Sequence, residues 1–168
     1  MRPGADGVVS WRASSGRERR GKQGLENTVV KARVKWIEGA AFLGESGSGH
    51  AIVLDGAPEF GGRNLGIRPM EALLIGLGAC SAFDVVGILN KGRQPFAACE
   101  VALEAERADT APKVFTKIHL HFVLTGAGLD PDKVARAIRL SVEKYCSASA
   151  MLGATAAITH DFEIAAPE

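Results

Sequence analysis

The chain has 168 residues, enough for a single domain that buries most of its apolar surface. Its net charge of +1 provides no general attraction for nucleic acid or an anionic membrane. A hydrophobic share of 46% beside a charged share of 23% is ordinary for a soluble globular protein.

Cysteine usage and the lack of long apolar runs favour a cytoplasmic protein. The three cysteines are too few for a secreted disulfide scaffold, and none forms a Cys-x-x-Cys pair. The N-terminal residues lack the apolar core of a signal peptide, and no unbroken apolar run reaches the roughly 18 residues of a membrane span. We therefore expect thiols that are either inert core residues or redox-active groups, and no membrane or nucleic acid as partner.

Residues 1–28 differ in composition from the rest of the chain. They are rich in glycine, serine and cations and hold a single aromatic residue, Trp11. Such a segment buries too little apolar surface to offset its ordering entropy. A basic arm for nucleic acid or membrane is one interpretation, but the cations form no repeat, so we favour an extension without a function of its own. The folded domain is then expected over residues 29–168.

Alternating apolar and charged residues from Val29 onward predict a β-strand with Val34 and Trp36 on one face. The glycines of residues 44–49 predict a turn, and residues 50–55 predict the returning strand of a hairpin. A phosphate-binding loop is disfavoured because no Gly-Lys-Ser/Thr ending follows these glycines.

A long apolar helix, predicted from Pro69 to Leu89, is the central feature of the sequence. A loop over residues 57–67 leads into it. Between Pro69 and Asp84 the only ionisable groups of the helix are Glu71 and Cys80. A helix that is apolar nearly all round is buried, so we expect it at the centre of the fold.

Ala72, Gly76 and Ala79 form a strip of small residues on this helix, where another element can come close. One chain supplies few strands to cover a helix that is apolar on all sides. A second copy that packs its own helix against the strip would complete the core. We therefore expect a homodimer whose two chains share one core.

Alternation predicts two more strands, over residues 99–106 and 114–124. In the first strand Cys99 is most simply a small core residue. In the second, the residues expected to face the core are Val114, Thr116, Ile118, Leu120 and Phe122. His119 and His121 share the outer face. Because neither a third ligand nor a Cys or Asp partner is evident nearby, we expect a solvated strand face and no metal site.

Asp130, Pro131 and Asp132 predict a helix start with an N-cap, a first-position proline and an acidic first turn. A short helix over residues 147–152 follows, and residues 157–165 predict a last strand. The resulting order of strands, buried helix, strand pair, helix and strand is an α+β fold and differs from an alternating βαβ pattern.

Two strings centred on cysteines carry a family resemblance. The first is Pro69-Met-Glu-Ala-Leu-Leu-Ile-Gly-Leu-Gly-Ala-Cys80-Ser-Ala-Phe-Asp-Val-Val, and the second is Glu143-Lys-Tyr-Cys146-Ser-Ala-Ser. Together they resemble the OsmC/Ohr family of osmotically inducible and organic hydroperoxide resistance proteins, over a range from about Val34 to Ile164. Within the family the chain is most similar to the YhfA-like branch, through Arg33-Val-Lys-Trp, Phe42-Leu-Gly-Glu-Ser, Phe83-Asp-Val-Val and Lys144-Tyr-Cys-Ser.

The resemblance implies an OsmC-like fold, an intertwined homodimer in which sheets from both chains wrap two central helices. It also implies a cysteine-based peroxidase with peroxiredoxin-like chemistry and a role in the oxidative stress response. Cys80 would attack an organic hydroperoxide as a thiolate and become a sulfenic acid, and Cys146 would then form a disulfide with it. An external dithiol would reduce that disulfide, and neither a metal nor an organic cofactor is implied.

The chain departs from the family at the groups that activate the first cysteine. Family members carry a glutamate ten residues before it, where this chain has Met70, and an arginine in the N-terminal hairpin, whose loop here offers only Glu45 and His50. Without a positive partner a buried Cys80 keeps a raised pKa, and Asp84 one turn away is expected to raise it further. The residues that could substitute as supporting groups are Glu71, Arg68 and Arg63.

These departures leave two alternatives to the peroxidase. One is a non-enzymatic OsmC-like dimer that binds or senses an apolar small molecule in the dimer cleft. The other is a structural dimer in which the thiols are inert core residues. The ionisation of the thiols separates the alternatives, because a reactive cysteine titrates well below the roughly 8.5 of a free thiol.

Overall fold

The computed structural model describes residues 29–167, and the predicted extension over residues 1–28 lies outside the described residues. Within the described range the chain forms two three-stranded sheets, a long helix and a helical crossover. This arrangement confirms the α+β class. The long helix follows the first sheet in the sequence, and the second sheet follows the helix.

The first sheet is antiparallel and consists, in spatial order, of β1 (Ala32–Glu38), β2 (Ala41–Ser46) and β3 (Ala51–Leu54). The sequence analysis missed the turn between β1 and β2 at Gly39, whose φ of 50° lies in the left-handed region that glycine adopts readily. The turn predicted over residues 44–49 was too long, because β2 continues to Ser46, which pairs with Ala32 of β1. The first sheet is therefore two consecutive hairpins.

Asp55, which is only 1% exposed, fixes the loop between β3 and the long helix. Its carboxylate accepts hydrogen bonds from the backbone N–H groups of Gly56 (2.8 Å), Arg63 (2.9 Å) and Leu65 (3.0 Å). The bonds from Leu65 and Arg63 contribute most to lowering the pKa of this carboxyl group. Arg68, at the end of the loop, donates to the backbone carbonyl of Asp55 and so becomes part of the same network.

The long helix, α1, spans Pro69–Lys91 and so begins where it was predicted. Glu71 accepts a hydrogen bond of 2.8 Å from the backbone N–H of Arg68 and thereby caps the first turn. The fully buried apolar residues of α1 are Leu77, Val85 and Leu89. They pack into a core that includes β5 and the second helix, so this side of α1 is buried as expected.

The opposite side of α1 is open in the single chain. We call Ala72, Gly76, Ala79 and Phe83 the open strip of α1. A side chain at Gly76 would meet no atom within 4 Å, and Phe83 is 82% exposed. The prediction of a helix buried on all sides therefore does not hold for one copy of residues 29–167.

α1 also has the length and composition of a membrane-spanning helix. Among the helices of residues 29–167, α1 is the one that is long and apolar enough to cross a membrane. The mean hydropathy of its most apolar segment is 2.1. The sequence analysis passed over it because only unbroken apolar runs were counted. A core helix of a soluble protein meets the same criterion, so length and composition alone do not place α1 in a membrane.

The second sheet consists, in spatial order, of β4 (Ala98–Arg107), β5 (Phe115–Thr125) and β6 (Ala157–Ala165). β4 and β5 are antiparallel, whereas β5 and β6 are parallel. Cys99 is half-buried on the inner face of β4, as predicted. β6 has the bounds predicted for the last strand.

A bulge in β5 changes which of its residues face the core. Glu106 of β4 pairs with Lys117 of β5, but the next residue, Arg107, pairs with Phe115. Thr116 of β5 therefore has no partner on β4. Phe115 is 4% exposed and Val114 is 37% exposed. The prediction that Val114 and Thr116 face inward was wrong, because the bulge reverses the alternation. The predicted inward residues that are confirmed as buried are Ile118, Leu120 and Phe122.

A helical crossover joins the parallel strands β5 and β6. It consists of α2 (Pro131–Leu140), a wide π-type turn (Ser141–Tyr145) and α3 (Ser147–Leu152). The Asp130 side chain accepts a hydrogen bond of 3.1 Å from the backbone N–H of Asp132, which confirms the predicted N-cap. α2, the wide turn and α3 all pack against α1, and this packing places the end of the crossover beside the middle of α1.

Replacing Leu77 by alanine should lower the free energy of unfolding by about 2–5 kcal/mol, because this side chain is completely buried and its loss leaves a cavity. Chemical denaturation followed by far-ultraviolet circular dichroism measures the change. Leu73→Ala is the matched control on the same helix, since Leu73 is 48% exposed. Equal losses in both variants would show that the two sides of α1 are buried alike in solution.

Candidate active site

The fold brings together two cysteines that are far apart in the sequence. Cys80 lies in the middle of α1 and is half-buried, and Cys146 is 3% exposed between the wide turn and α3. The two thiols are close enough for each to shift the pKa of the other, and the shifts have opposite directions. The predicted catalytic pair is therefore one site in the structure.

The wide turn carries Cys146 to α1. The backbone N–H of Cys146 donates to the carbonyl of Ser141 over 2.8 Å, which closes the turn one residue later than an α-helical bond would. The Ser141 hydroxyl lies 3.1 Å from the Ser81 carbonyl oxygen and 3.4 Å from the Asp84 carboxylate of α1. Ser141 and Ser81 are completely buried, so their polar groups need these partners.

Three hydrogen-bond donors surround the Cys146 sulfur besides the Cys80 thiol. The Ser81 hydroxyl donates to it over 3.3 Å and the backbone N–H of Ser149 over 3.4 Å. The Ser149 hydroxyl, three residues after Cys146, is buried and has no hydrogen-bond partner within residues 29–167. Burial disfavours the Cys146 thiolate, but the bonds from Ser149, Ser81 and Cys80 outweigh burial and lower the pKa of this thiol.

The pKa of the Cys80 thiol is shifted in the opposite direction. A hydrogen bond from the backbone N–H of Ala148 favours its thiolate, but three effects together outweigh that bond and raise the pKa. They are burial, the hydrogen bond to Cys146, and the negative charges of Cys146 and Asp84. The expected effect of Asp84 is thus confirmed.

The third cysteine belongs to the core of the sheet. Cys99 lies on β4 among partly buried apolar side chains. Burial is the cause that raises the pKa of its thiol. Cys99 therefore has the surroundings of a structural thiol, as predicted, and it provides a control for experiments on the pair.

The three predicted supporting residues lie at the start of α1. Arg63 pairs with Glu38, and Arg68 donates to the side chain of Asn64 over 2.8 Å. Along the helix axis Arg68 is about 18 Å and Glu71 about 13 Å from Cys80, at 1.5 Å per residue. Within residues 29–167 of one chain, their hydrogen bonds do not reach the thiols. Their catalytic role stays a prediction.

Sequence reasoning missed the serines around Cys146. Ser81 and Ser149 are common residue types with no local pattern of their own. Their adjacency to the cysteines, one position after Cys80 and three after Cys146, was the available signal. Only the packing of α1 against α3 shows that both hydroxyls face the same sulfur.

A pocket of about 560 Å³ lies between α1 and the wide turn, and its lining begins one turn beyond Cys80 on α1. It is lined by Phe83, Asp84, Gly87, Ile88, Lys91, Leu140 and Tyr145. Asp84 connects the pocket with the thiols, because its charge also acts on Cys80. Most of the lining is apolar or aromatic, and one carboxylate and one ammonium group supply charge, which suits a mainly apolar small molecule.

The outer face of the second sheet holds an acidic partner that the sequence analysis did not find. The parallel register of β5 and β6 sets Asp161 opposite His121. One oxygen of Asp161 lies 2.6 Å from His121 Nδ1 and 3.3 Å from His119 Nε2. The expectation that these histidines have no Asp partner was wrong, because the partner comes from a strand distant in sequence. Residues 29–167 nevertheless contain no group of three or more ligands suited to a metal ion.

These observations define the class of protein. The fold combines a long central helix with two three-stranded sheets, and its thiol pair joins that helix to the crossover. The family model described as OsmC-like protein matches residues 61–161, more than half of the chain. The chain therefore belongs to the OsmC-like family, which confirms the resemblance of the two cysteine strings.

Individual relatives agree with this assignment. The chain is 51% identical to Protein YhfA of Escherichia coli strain K12 over 140 residues, covering 82% of this chain and 99% of that protein. A crystal structure of a hypothetical protein from Aquifex aeolicus VF5 is 28% identical with a TM-score of 0.74, covering 84% of this chain and 99% of that one. An organic hydroperoxide resistance protein OsmC from Legionella pneumophila shares the fold at 17% identity and a TM-score of 0.64, over 82% and 98% of the two chains.

His121 should titrate at a higher pH than an ordinary histidine, because the hydrogen bond and the charge of Asp161 raise its pKa. A raised pKa in the folded state stabilises the fold below the ordinary value of about 6.5, and this contribution is lost as the pH rises through the folded value. NMR titration of the imidazole signals measures the midpoint.

Asp161→Asn should return the His121 midpoint towards the ordinary value. Asp109→Asn is the matched control, since it removes the same charge from an exposed turn of the chain. An unchanged His121 midpoint in Asp161→Asn would contradict the assignment of Asp161 as its partner.

Proposed function

We propose that this protein is a thiol-dependent peroxidase that reduces organic hydroperoxides through the Cys80–Cys146 pair. The observation that carries the proposal is the Cys146 sulfur, which lies beside Cys80 and accepts hydrogen bonds from the Ser81 hydroxyl (3.3 Å) and the Ser149 N–H (3.4 Å). Such a pair suits redox chemistry, since inert core thiols need no donors around one sulfur. The chemistry needs no metal or organic cofactor, and an external dithiol serves as the reductant.

The reaction follows from the order and exposure of the two sulfurs. Cys80 is the more accessible sulfur and meets the peroxide, and the attack breaks the O–O bond, releases the alcohol and leaves a sulfenic acid on Cys80. The Cys146 sulfur then displaces hydroxide from Cys80, which gives water and a disulfide. An external dithiol returns both thiols by exchange.

The pocket beside the pair supports an organic substrate. Its aromatic and aliphatic lining favours an alkyl or lipid hydroperoxide over hydrogen peroxide, because burial of the organic group contributes to binding. The structural relative from Legionella pneumophila is named an organic hydroperoxide resistance protein, which agrees with this substrate class. We place the activity in the cytoplasm and in the response to oxidative stress.

A non-enzymatic function is the second candidate. The same pocket would accommodate an apolar small molecule, and the raised pKa of Cys80 disfavours the attacking thiolate. In that case the protein binds or senses an apolar small molecule without a chemical reaction, and the thiols serve as part of the binding or sensing site. Peroxide consumption separates the two candidates.

We also propose that two chains form the active unit, an intertwined homodimer. The open strip of α1 and the exposed apolar residues Val34 and Trp36 of the first sheet support it, since Val34 and Trp36 are 64% and 62% exposed in one chain. Apolar surface of this extent is typical of an interface. A second copy supplies matching surface of the same kind.

Replacing Cys80 by serine should abolish the consumption of cumene hydroperoxide, because the attacking sulfur is lost. The rate is measured with the reduced full-length chain and a dithiol reductant. Cys99→Ser is the matched control. It should leave the rate unchanged, because burial in the core of the sheet raises the pKa of the Cys99 thiol and so disfavours its reaction. Equal, low rates in the wild type and in Cys80→Ser would reject the peroxidase and favour the binding protein.

Gly76→Leu should weaken the homodimer, because the new side chain would occupy the space in which a partner helix packs. In one chain that position is open, so the folded monomer tolerates the substitution. Light scattering at several micromolar concentrations measures the mass, and Arg136→Leu on the exposed face of α2 is the control. A stable, folded wild-type monomer at these concentrations would refute the homodimer.

A further inference from the structure

We propose that Cys146 holds the negative charge of the resting thiol pair and acts as the base that activates Cys80. This inference rests on the proposed peroxidase. It gives Cys146 the role of a base, which the order of the two cysteines in the sequence does not indicate. In it, the hydroxyl groups of Ser81 and Ser149 are positioning groups that keep Cys146 ionised. This arrangement would replace the positive partner that the family has in the N-terminal hairpin and that the hairpin loop of this chain does not offer.

The donors around the two sulfurs are unequal in number. Cys146 accepts hydrogen bonds from the Ser81 hydroxyl over 3.3 Å and from the Ser149 N–H over 3.4 Å, and the Ser149 hydroxyl is buried on the same turn of α3. Cys80 has one donor, the N–H of Ala148, and faces the charge of Asp84. A single negative charge shared between the sulfurs is therefore more stable on Cys146.

The Ser149 hydroxyl provides independent support. Ser149 is 4% exposed, and its Oγ atom has no hydrogen-bond partner within residues 29–167. An unpartnered buried hydroxyl costs free energy unless an acceptor is available. Rotation of the Ser149 side chain towards the Cys146 sulfur would supply that acceptor, and a thiolate is a much stronger acceptor than a neutral thiol.

Few other charges act on the pair. Asp84 is the charged group on α1 that faces Cys80, and α3 carries no titratable side chain. The titratable residues of the wide turn, Glu143, Lys144 and Tyr145, are exposed. Cys99 on β4 is half-buried, and burial raises the pKa of its thiol.

In the inferred mechanism the proton passes from one sulfur to the other. When Cys80 attacks the terminal oxygen of the hydroperoxide, its proton passes to the Cys146 thiolate, and the O–O bond breaks to give the Cys80 sulfenic acid and an alkoxide. The alkoxide takes the proton from Cys146 and leaves as the alcohol, so Cys146 is again a thiolate. That thiolate attacks the Cys80 sulfur, and the departing hydroxide takes a proton from solvent to form water. The peroxide gains two electrons and the two thiols together lose two.

The first test measures where the charge resides. Thiolate ultraviolet absorbance is followed against pH in the reduced full-length chain carrying Cys99→Ser, so that the pair is observed alone. Ser81→Ala and Ser149→Ala should each raise the lower midpoint by about one pH unit, since each removes a hydrogen bond to a charged sulfur. Ser147→Ala, at an exposed position of α3, is the control and should not change the midpoint. If neither Ser81→Ala nor Ser149→Ala moves the midpoint in a folded protein, the inference is wrong.

The second test measures the base. Reduced protein reacts with one equivalent of cumene hydroperoxide, dimedone traps the sulfenic acid, and mass spectrometry follows its formation on Cys80. Cys146→Ser should slow this first step about a hundredfold, because a general base contributes roughly that much. Ser81→Ala should slow it less, and raising the pH should restore most of the rate in both variants.

The outcomes separate this inference from the proposed function. Formation of the Cys80 sulfenic acid at the wild-type rate in Cys146→Ser would show that Cys146 only resolves the intermediate, and the peroxidase would stand without the base. Wild-type peroxide consumption in Cys80→Ser would overturn the peroxidase itself and the inference with it. Circular dichroism of every variant establishes that a slow reaction is not a loss of fold.

Discussion

The structure depends on the contact between the Ser81 hydroxyl and the Cys146 sulfur, which joins α1 to the start of α3 over 3.3 Å. Both groups are buried, so each depends on the other to satisfy its hydrogen-bonding capacity where water does not reach. Ser141, which reaches back to the Ser81 carbonyl, fixes the wide turn on the same segment of α1. The position of Cys146 beside Cys80 follows from these two serine contacts, whereas apolar packing alone would allow the crossover to slide along the helix.

Neutral donors stabilise a buried thiolate differently from an arginine. A guanidinium group brings its own charge into the site and must itself be desolvated, whereas hydroxyl and N–H groups are already part of the buried structure. Their stabilisation is directional, so it selects one sulfur of the pair. This matters here because Met70 stands at the family's glutamate position and the described hydrogen bonds of Arg63 and Arg68 remain in the loop before α1.

The sequence predicted the elements well where one periodicity extended over a whole segment. α1 begins at the predicted residue, and β6 and α3 have the predicted bounds, because proline, glycine and regular apolar spacing mark them. Local irregularities were not predictable: the bulge at Thr116 depends on pairing with β4, and the turn at Gly39 interrupts a pattern that continues on either side. The cysteine pair came from family resemblance, but the serines around it and the partner of His121 come from contacts distant in sequence.

The two sides of α1 link the thiol site to assembly. Leu77 and Ser81 face the core of their own chain, while Gly76 and Phe83 lie on the open strip. Cys80, half-buried, lies between the two sides. Because Phe83 belongs both to the open strip and to the pocket beside the thiols, anything that packs on the strip also forms a wall of that pocket. The pocket and the surface that one chain leaves uncovered therefore lie on the same turns of the helix.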